Sequence, residues 1–201
     1  MMKLYIARHG ETEWNRAGKL QGWKDAPLTE KGKKQAKALG RRLKEIEFDA
    51  VYSSPLGRTL KTAEIALDGK DLPVNKDERL KEIDMGEWEG TKADKIKEMF
   101  PDLYEDFWER PHRYDPEDGE SFDDVKERVL SFLDEMIEKH DGETILIFSH
   151  GCASKVMMTH FGGRSLSRLW DPPELKECSL NLVEIEDGES DIILFGDTSF
   201  L

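Results

Sequence analysis

The architecture of this chain follows from eight residues, Thr144-Ile145-Leu146-Ile147-Phe148-Ser149-His150-Gly151. From Thr144 to Phe148 the run shows no polar alternation, as expected for a strand covered on both faces. Such a strand belongs inside a mainly parallel sheet with helices packed above and below it. The run stops at Ser149-His150-Gly151, and the residues beyond predict a helix over about 152–161. A second strand, residues 3–8, likewise delivers Arg8-His9-Gly10 at its end. A third, Ala50-Val51-Tyr52-Ser53, turns through Ser54-Pro55 into a helix over about 56–67 that carries Arg58 in its first turn.

The remaining elements fit between these three. A polar loop with Gly10, Gly18 and Gly22 precedes a helix over about 30–46, with Thr29 as its N-cap and Ala36, Leu39, Gly40 and Leu43 on its buried stripe. A short strand lies near Pro73-Val74-Asn75. Residues 84–118 are rich in aromatics and broken by Pro101, Pro111 and Pro116, which predicts short helices and loops forming a small cap-like insertion. Ser121-Phe122-Asp123-Asp124 is a capping box that opens a helix to about 140, with Val125, Val129, Phe132, Met136 and Ile137 on its apolar face. Residues 179–186 and 190–196 form a hairpin around Asp187-Gly188, so at least one strand is antiparallel. The expectation is a single α/β domain over 1–201, a three-layer α/β/α sandwich with a mostly parallel sheet and an antiparallel edge strand.

Composition narrows the function. The 201 residues are 37% hydrophobic and 36% charged, with no apolar run approaching the roughly 20 residues of a membrane span. The N-terminus turns polar too early for a signal peptide, and Cys152 and Cys178 cannot build a disulfide framework, so a cytoplasmic setting is expected. Neither H-E-x-x-H nor C-x-x-C occurs, which argues against zinc. A net charge of −13 argues against nucleic acid and anionic membranes as partners. Residues 1–62 nevertheless hold 14 Lys and Arg against 7 Asp and Glu, while the rest hold 16 against 36. Half of those 14 basic residues belong to one basic helix, but Arg8 and Arg58 lie outside it. In an acidic protein, two such arginines at strand ends suggest a localised anion site.

Ligands of open α/β sheets bind beyond the carboxyl ends of the strands. Three strand ends here carry unusual polar content: Arg8-His9, Ser53 to Arg58, and His150. Any one of these residues alone reads as a satisfied polar group or a surface cation. Their convergence on one crevice is the informative observation.

The motifs Arg8-His9-Gly10-Glu11-Thr12, Trp14-Asn15, Gln21-Gly22, Pro27-Leu28-Thr29-Glu30-Lys31-Gly32, Ser53-Ser54-Pro55-Leu56-Gly57-Arg58-Thr59, Leu80-Lys81-Glu82-Ile83, Gly119-Glu120-Ser121 and Ser149-His150-Gly151 occur in order between residues 8 and 151. In these the chain resembles the histidine phosphatase superfamily, also called phosphoglycerate mutase-like. The resemblance implies that His9 is a nucleophile that takes a phosphoryl group, which requires one imidazole nitrogen to be unprotonated. It makes Arg8, Arg58 and His150 the cationic contacts to the phosphoryl oxygens, His150 protonated when it binds phosphate. Asn15, Gln21 and Gly22 join them in binding substrate. Glu82 becomes the acid that protonates the leaving group and the base that activates water; one carboxyl can serve both steps when its pKa is raised. No metal and no cofactor enters this scheme.

Within the family the chain is similar to the short bacterial phosphatases, a group that includes broad-specificity, α-ribazole and phosphoserine phosphatases. Mutases of this type carry Arg-His-Tyr-Gly after the acid; here Ile83-Asp84-Met85-Gly86 stands instead, and residues 91–118 offer only Arg110 and Arg113. The expected activity is metal-independent hydrolysis of small phosphorylated metabolites, by a monomer or homodimer. A phosphoglycerate mutase and a non-catalytic phospho-ligand binding protein are the alternatives. A cysteine phosphatase is excluded because Met158, not Arg, stands six residues after Cys152. Trp23, Trp88, Phe107 and Trp108 are candidates for an apolar wall beside the leaving group.

Overall fold

The computed structural model describes residues 1–201 and contains one six-stranded sheet. In chain order the strands are β1 (Met2–Arg8), β2 (Ala50–Ser53), β3 (Val74–Lys76), β4 (Thr144–Ser149), β5 (Leu180–Glu186) and β6 (Glu189–Asp197). The helices are α1 (Glu13–Arg16), α2 (Glu30–Arg42), α3 (Gly57–Ala66), α4 (Ala93–Met99), α5 (Pro101–Glu109), α6 (Phe122–Lys139) and α7 (Gly151–Phe161). Across the sheet the order is β3-β2-β4-β1-β5-β6. The first four run parallel; β5 pairs antiparallel with β1, and β6 antiparallel with β5.

Side-chain parity explains the layers. Leu4 and Ile6 of β1 and Ile145 and Ile147 of β4 join the core under α6 and α7. Their neighbours Tyr5, Ala7, Leu146 and Phe148 join a second core under α2 and α3. Each strand thus buries both faces, which is why neither shows alternation. The larger core reaches beyond the sheet into the 84–118 segment. There Phe107 of α5 is fully buried, with its ring 5.8 Å from Trp88, 5.0 Å from Tyr114 and 5.0 Å from Phe122. Burying a side chain of that kind contributes about 1.5–3 kcal/mol, so this segment is packed onto the sheet layer.

One sequence expectation shifts. The α2 helix closes at Arg42, with Leu43 as its C-cap, short of the expected 46. The edge strand is β6, while Glu184 and Glu186 lie in β5, between β1 and β6. The exposed charges at that edge are Glu189 and Asp191. No helix is long and apolar enough to cross a membrane.

Register then positions the site. Arg8 pairs with Ser149, and Ser53 with Phe148, so β1, β2 and β4 end level with one another. The residues that follow, His9, Ser54 and His150, leave the sheet side by side.

Candidate active site

Seven of the eight residues singled out from the sequence (Arg8, His9, Asn15, Gln21, Gly22, Arg58 and Glu82) line one cavity of about 870 Å³ above these strand ends. The eighth, His150, is fully buried beside His9, with ring centroids 5.3 Å apart.

The tautomer of His9 follows from its partner. Its Nδ1 lies 2.8 Å from the carbonyl of Gly10, which can only accept, so Nδ1 carries the proton and Nε2 keeps its lone pair. Gly10 is itself held by its amide, which donates to Thr62 Oγ1. A Cβ at Gly10 would come within 2.6 Å of the Gly32 carbonyl, so no larger residue fits there. Burial, then the charges of Arg58 and Arg8, push the imidazole well below its ordinary pKa. A neutral ring with one free nitrogen is the form a nucleophile needs.

Arg58, 1% exposed, is locked from behind. Its Nη1 donates to the Lys24 carbonyl and to Asp25 Oδ1, both at 3.0 Å, and its Nη2 donates to the Gly22 carbonyl at 2.6 Å. The loop that supplies these acceptors is pinned by Glu89, whose carboxylate takes the amides of Trp23 and Lys24. Gly22 adopts φ +52, and a Cβ there would overlap the Glu89 carboxylate, so only glycine fits. Arg8 donates from Nη1 to the Leu175 carbonyl at 2.6 Å, and its Nη2 lies 3.5 Å from Glu177. Each guanidinium keeps one buried Nε–H with no protein acceptor, and His150 Nδ1 is likewise buried without a partner. A buried donor left so costs about 1–3 kcal/mol, and two guanidiniums with such donors on one cavity wall, with His150 beside them, suit a multivalent anion.

His150 is held through Nε2, 2.8 Å from Ser54 Oγ. Burial, then Arg58, His9, Arg128 and Arg8, drive it well below the ordinary imidazole value. Without an anion it is therefore neutral, and the protonated form expected from the sequence depends on phosphate being bound. A stability consequence follows. Below about 6.5 the unfolded chain protonates histidines that the native state keeps neutral. Stability is thus fully present above that pH and falls as pH drops towards the lowered native values of His9 and His150. Thermal unfolding from pH 7.5 to 5 is expected to show a falling Tm, with a shallower slope in His150→Asn and when inorganic phosphate is added. A Tm that rises over that range would contradict the neutral assignment.

Glu82 enters the cavity at the start of α7. Its carboxylate accepts from the amides of Ile83 (3.0 Å), Ala153 (3.1 Å) and Cys152 (3.1 Å). Its own carbonyl takes Trp23 Nε1 and Arg128 Nη2. Arg128 also grips the carbonyls of Arg79 and Lys81 and makes a two-pronged pair with Glu120. Glu82 is fixed at both ends, by a helix N-terminus in front and a guanidinium behind.

Thr12 organises the amide side of the cavity. Its backbone amide donates to Asn15 Oδ1 at 3.1 Å and its hydroxyl to Gln21 Oε1 at 3.0 Å, so both amide oxygens are turned to Thr12 and the NH2 groups remain as donors. Asn15 belongs to α1, where it completes a capping box with Thr12. The aromatic wall differs from expectation. Phe107 and Trp108 line the cavity, but Trp88 is 2% exposed in the core, and Trp23 lies outside under Lys81. Trp170 takes the vacated role, its ring 4.9 Å from Trp108 and its Nε1 donating to the Phe107 carbonyl. Thr12, Asp25, Ser54, Arg128 and Trp170 carried no assigned role in the sequence. The first three lie in or beside the quoted motifs, which was the signal available. No three His, Cys, Asp or Glu side chains are grouped so as to hold a metal ion.

Comparison with known proteins gives the family. The model of the histidine phosphatase superfamily, branch 1, matches residues 4–198. Phosphoserine phosphatase 1 of Hydrogenobacter thermophilus is 39% identical over 201 residues, which are all of this chain and 95% of that protein. YhfR of Bacillus stearothermophilus superposes with a TM-score of 0.97 at 43% identity, covering 100% of this chain and 99% of that one. A mutant phosphoserine phosphatase of Entamoeba histolytica in complex with phosphoserine gives 0.87 at 30% identity, with both chains fully covered. The chain belongs to branch 1 of the histidine phosphatase superfamily and is a phosphoric monoester hydrolase.

Proposed function

We propose that this enzyme hydrolyses small phosphorylated metabolites through a phosphohistidine on His9, without a metal ion. The observation that carries the reading is the free Nε2 of a neutral His9 beside the unpartnered Nε–H donors of Arg8 and Arg58, with the unpartnered Nδ1 of His150 buried next to them. Nε2 attacks phosphorus while the ester P–O bond breaks, and the leaving alkoxide takes a proton from Glu82. Glu82, now a carboxylate, removes a proton from water; the resulting hydroxide attacks phosphorus and the P–N bond breaks. Phosphate leaves, His9 is again neutral and Glu82 again protonated. The cationic floor supplies charge stabilisation as the equatorial oxygens gain charge, which is most of what phosphoryl transfer asks of a protein. Asn15 and Gln21 add neutral donors at its side.

Water as the acceptor is supported by Ile83 and Met85, both buried, with Met85 on the cavity wall where a mutase carries tyrosine. The 84–118 segment, through Phe107 and Trp108, acts as a cap that shields the leaving group. The reading takes the enzyme as cytoplasmic and as a monomer or homodimer, with Cys152 and Cys178 as free thiols. The test is turnover of p-nitrophenyl phosphate. Activity is expected, unchanged by EDTA, with phosphate release from 3-phosphoglycerate outpacing its conversion to 2-phosphoglycerate. Loss of activity in EDTA, or faster interconversion, would overturn the corresponding part.

A further inference from the structure

Beyond the phosphate floor and Glu82, the cavity wall contains one more buried charge, Lys155, which is 4% exposed. It stands one turn into α7, on the same helical face as Gly151 and Cys152, which also line the cavity. Helical side chains lean towards the helix N-terminus, so its stem runs back towards the site. Its Nζ donates to the carbonyls of Asp171 and Pro173 and lies 4.9 Å from the Phe195 ring, with no carboxylate in ion-pair range. An ammonium has three N–H donors, so one remains. Burial and then the charge of Arg164 lower its pKa, as expected of a cation lacking a counter-charge. Such a buried charge is costly unless a partner arrives. The other charged groups on the outer wall, Lys19, Glu109 and Glu174, are at least partly exposed, where water already screens them.

We propose that Lys155 is a subsite for a carboxylate on the alcohol portion of the substrate, so that the cavity selects phosphorylated hydroxy acids and hydroxy amino acids. This rests on the phosphatase reading above. It also fits the relative that holds phosphoserine, a carboxylate-bearing monoester.

The test compares O-phosphoserine with O-phosphoethanolamine, which share the phosphate and the ammonium and differ in the carboxylate. Wild-type enzyme is expected to favour phosphoserine by about 10- to 100-fold in kcat/KM, the range for one hydrogen bond between charged groups. Lys155→Met is expected to erase that preference through KM, while p-nitrophenyl phosphate turnover stays close to wild type. Equal wild-type values for the two esters would overturn the proposal whatever the variant does, even if it failed to fold. A folded Lys155→Met enzyme that kept the preference would overturn it too. Absence of wild-type turnover on every ester would instead remove the phosphatase reading beneath it.

Discussion

His9→Ala is expected to lower phosphatase turnover about a thousandfold or more on every ester, with no loss of fold. The magnitude follows from the division of labour in the site. Removing a nucleophile deletes the covalent route outright, while the remaining binding and charge stabilisation leave only a residual rate. Folding should survive because His9 is a cost to the native state. Its ring is buried beside two guanidiniums, and its single protein hydrogen bond runs to the adjacent Gly10 carbonyl. Alanine removes that cost and leaves the Gly10 amide on Thr62 untouched. The check is kcat/KM beside Tm. Wild-type rates in a folded His9→Ala protein would contradict the assignment of the nucleophile.

Glu82→Gln is expected to have the second largest effect, and a graded one. On alkyl esters, whose alkoxides need a proton, general acid–base catalysis contributes about 10²- to 10⁴-fold, and that is the expected loss. On p-nitrophenyl phosphate the first step needs little protonation, so the variant should release one equivalent of p-nitrophenol rapidly and then turn over slowly. The slow phase reports water attack without its base. Gln also places an NH2 near the amides of Ile83, Cys152 or Ala153, all of which donate to the native carboxylate. A modest fall in Tm is therefore expected alongside the kinetic defect. Equal losses on alkyl and p-nitrophenyl esters, with no burst, would show that Glu82 does not work on the leaving group.

Much of this was legible in the sequence because it is local. A strand buried on both faces must read as an uninterrupted apolar run, and Leu4–Ala7 and Ile145–Phe148 do. Polar residues at the ends of such strands have few reasons to be there, which made Arg8, His9 and His150 stand out. The Ser121 capping box opened α6 where the pattern placed it, because cap and helix start lie within four residues.

What escaped reading depends on distant partners. Arg58 was legible as an anion contact, but not its burial under Asp25, 33 residues away, and the 22–25 loop. Arg128 sits in an ordinary amphipathic helix, and only the folded chain brings it 46 residues back to the Glu82 carbonyl. The aromatics illustrate the same limit. Trp88 and Trp108 are equivalent as residues, yet one is core and the other cavity wall, and Trp170 joins the wall from a different part of the chain. Lys155 is a lone cation in an otherwise mostly apolar helix, and nothing local signals that its charge is buried.

The central claim is that phosphate passes through His9, and the most direct measurement is to catch it there. Wild-type and Glu82→Gln enzymes, mixed with p-nitrophenyl phosphate and quenched in base, are to be examined by intact-protein and peptide mass spectrometry. One phosphoryl group on the peptide containing His9 is expected, base-stable and acid-labile. It should accumulate in Glu82→Gln, where water attack is slow, and be absent from His9→Ala. Steady turnover with no phosphorylated enzyme in either protein, or a phosphoryl group located on any residue other than His9, would contradict the account.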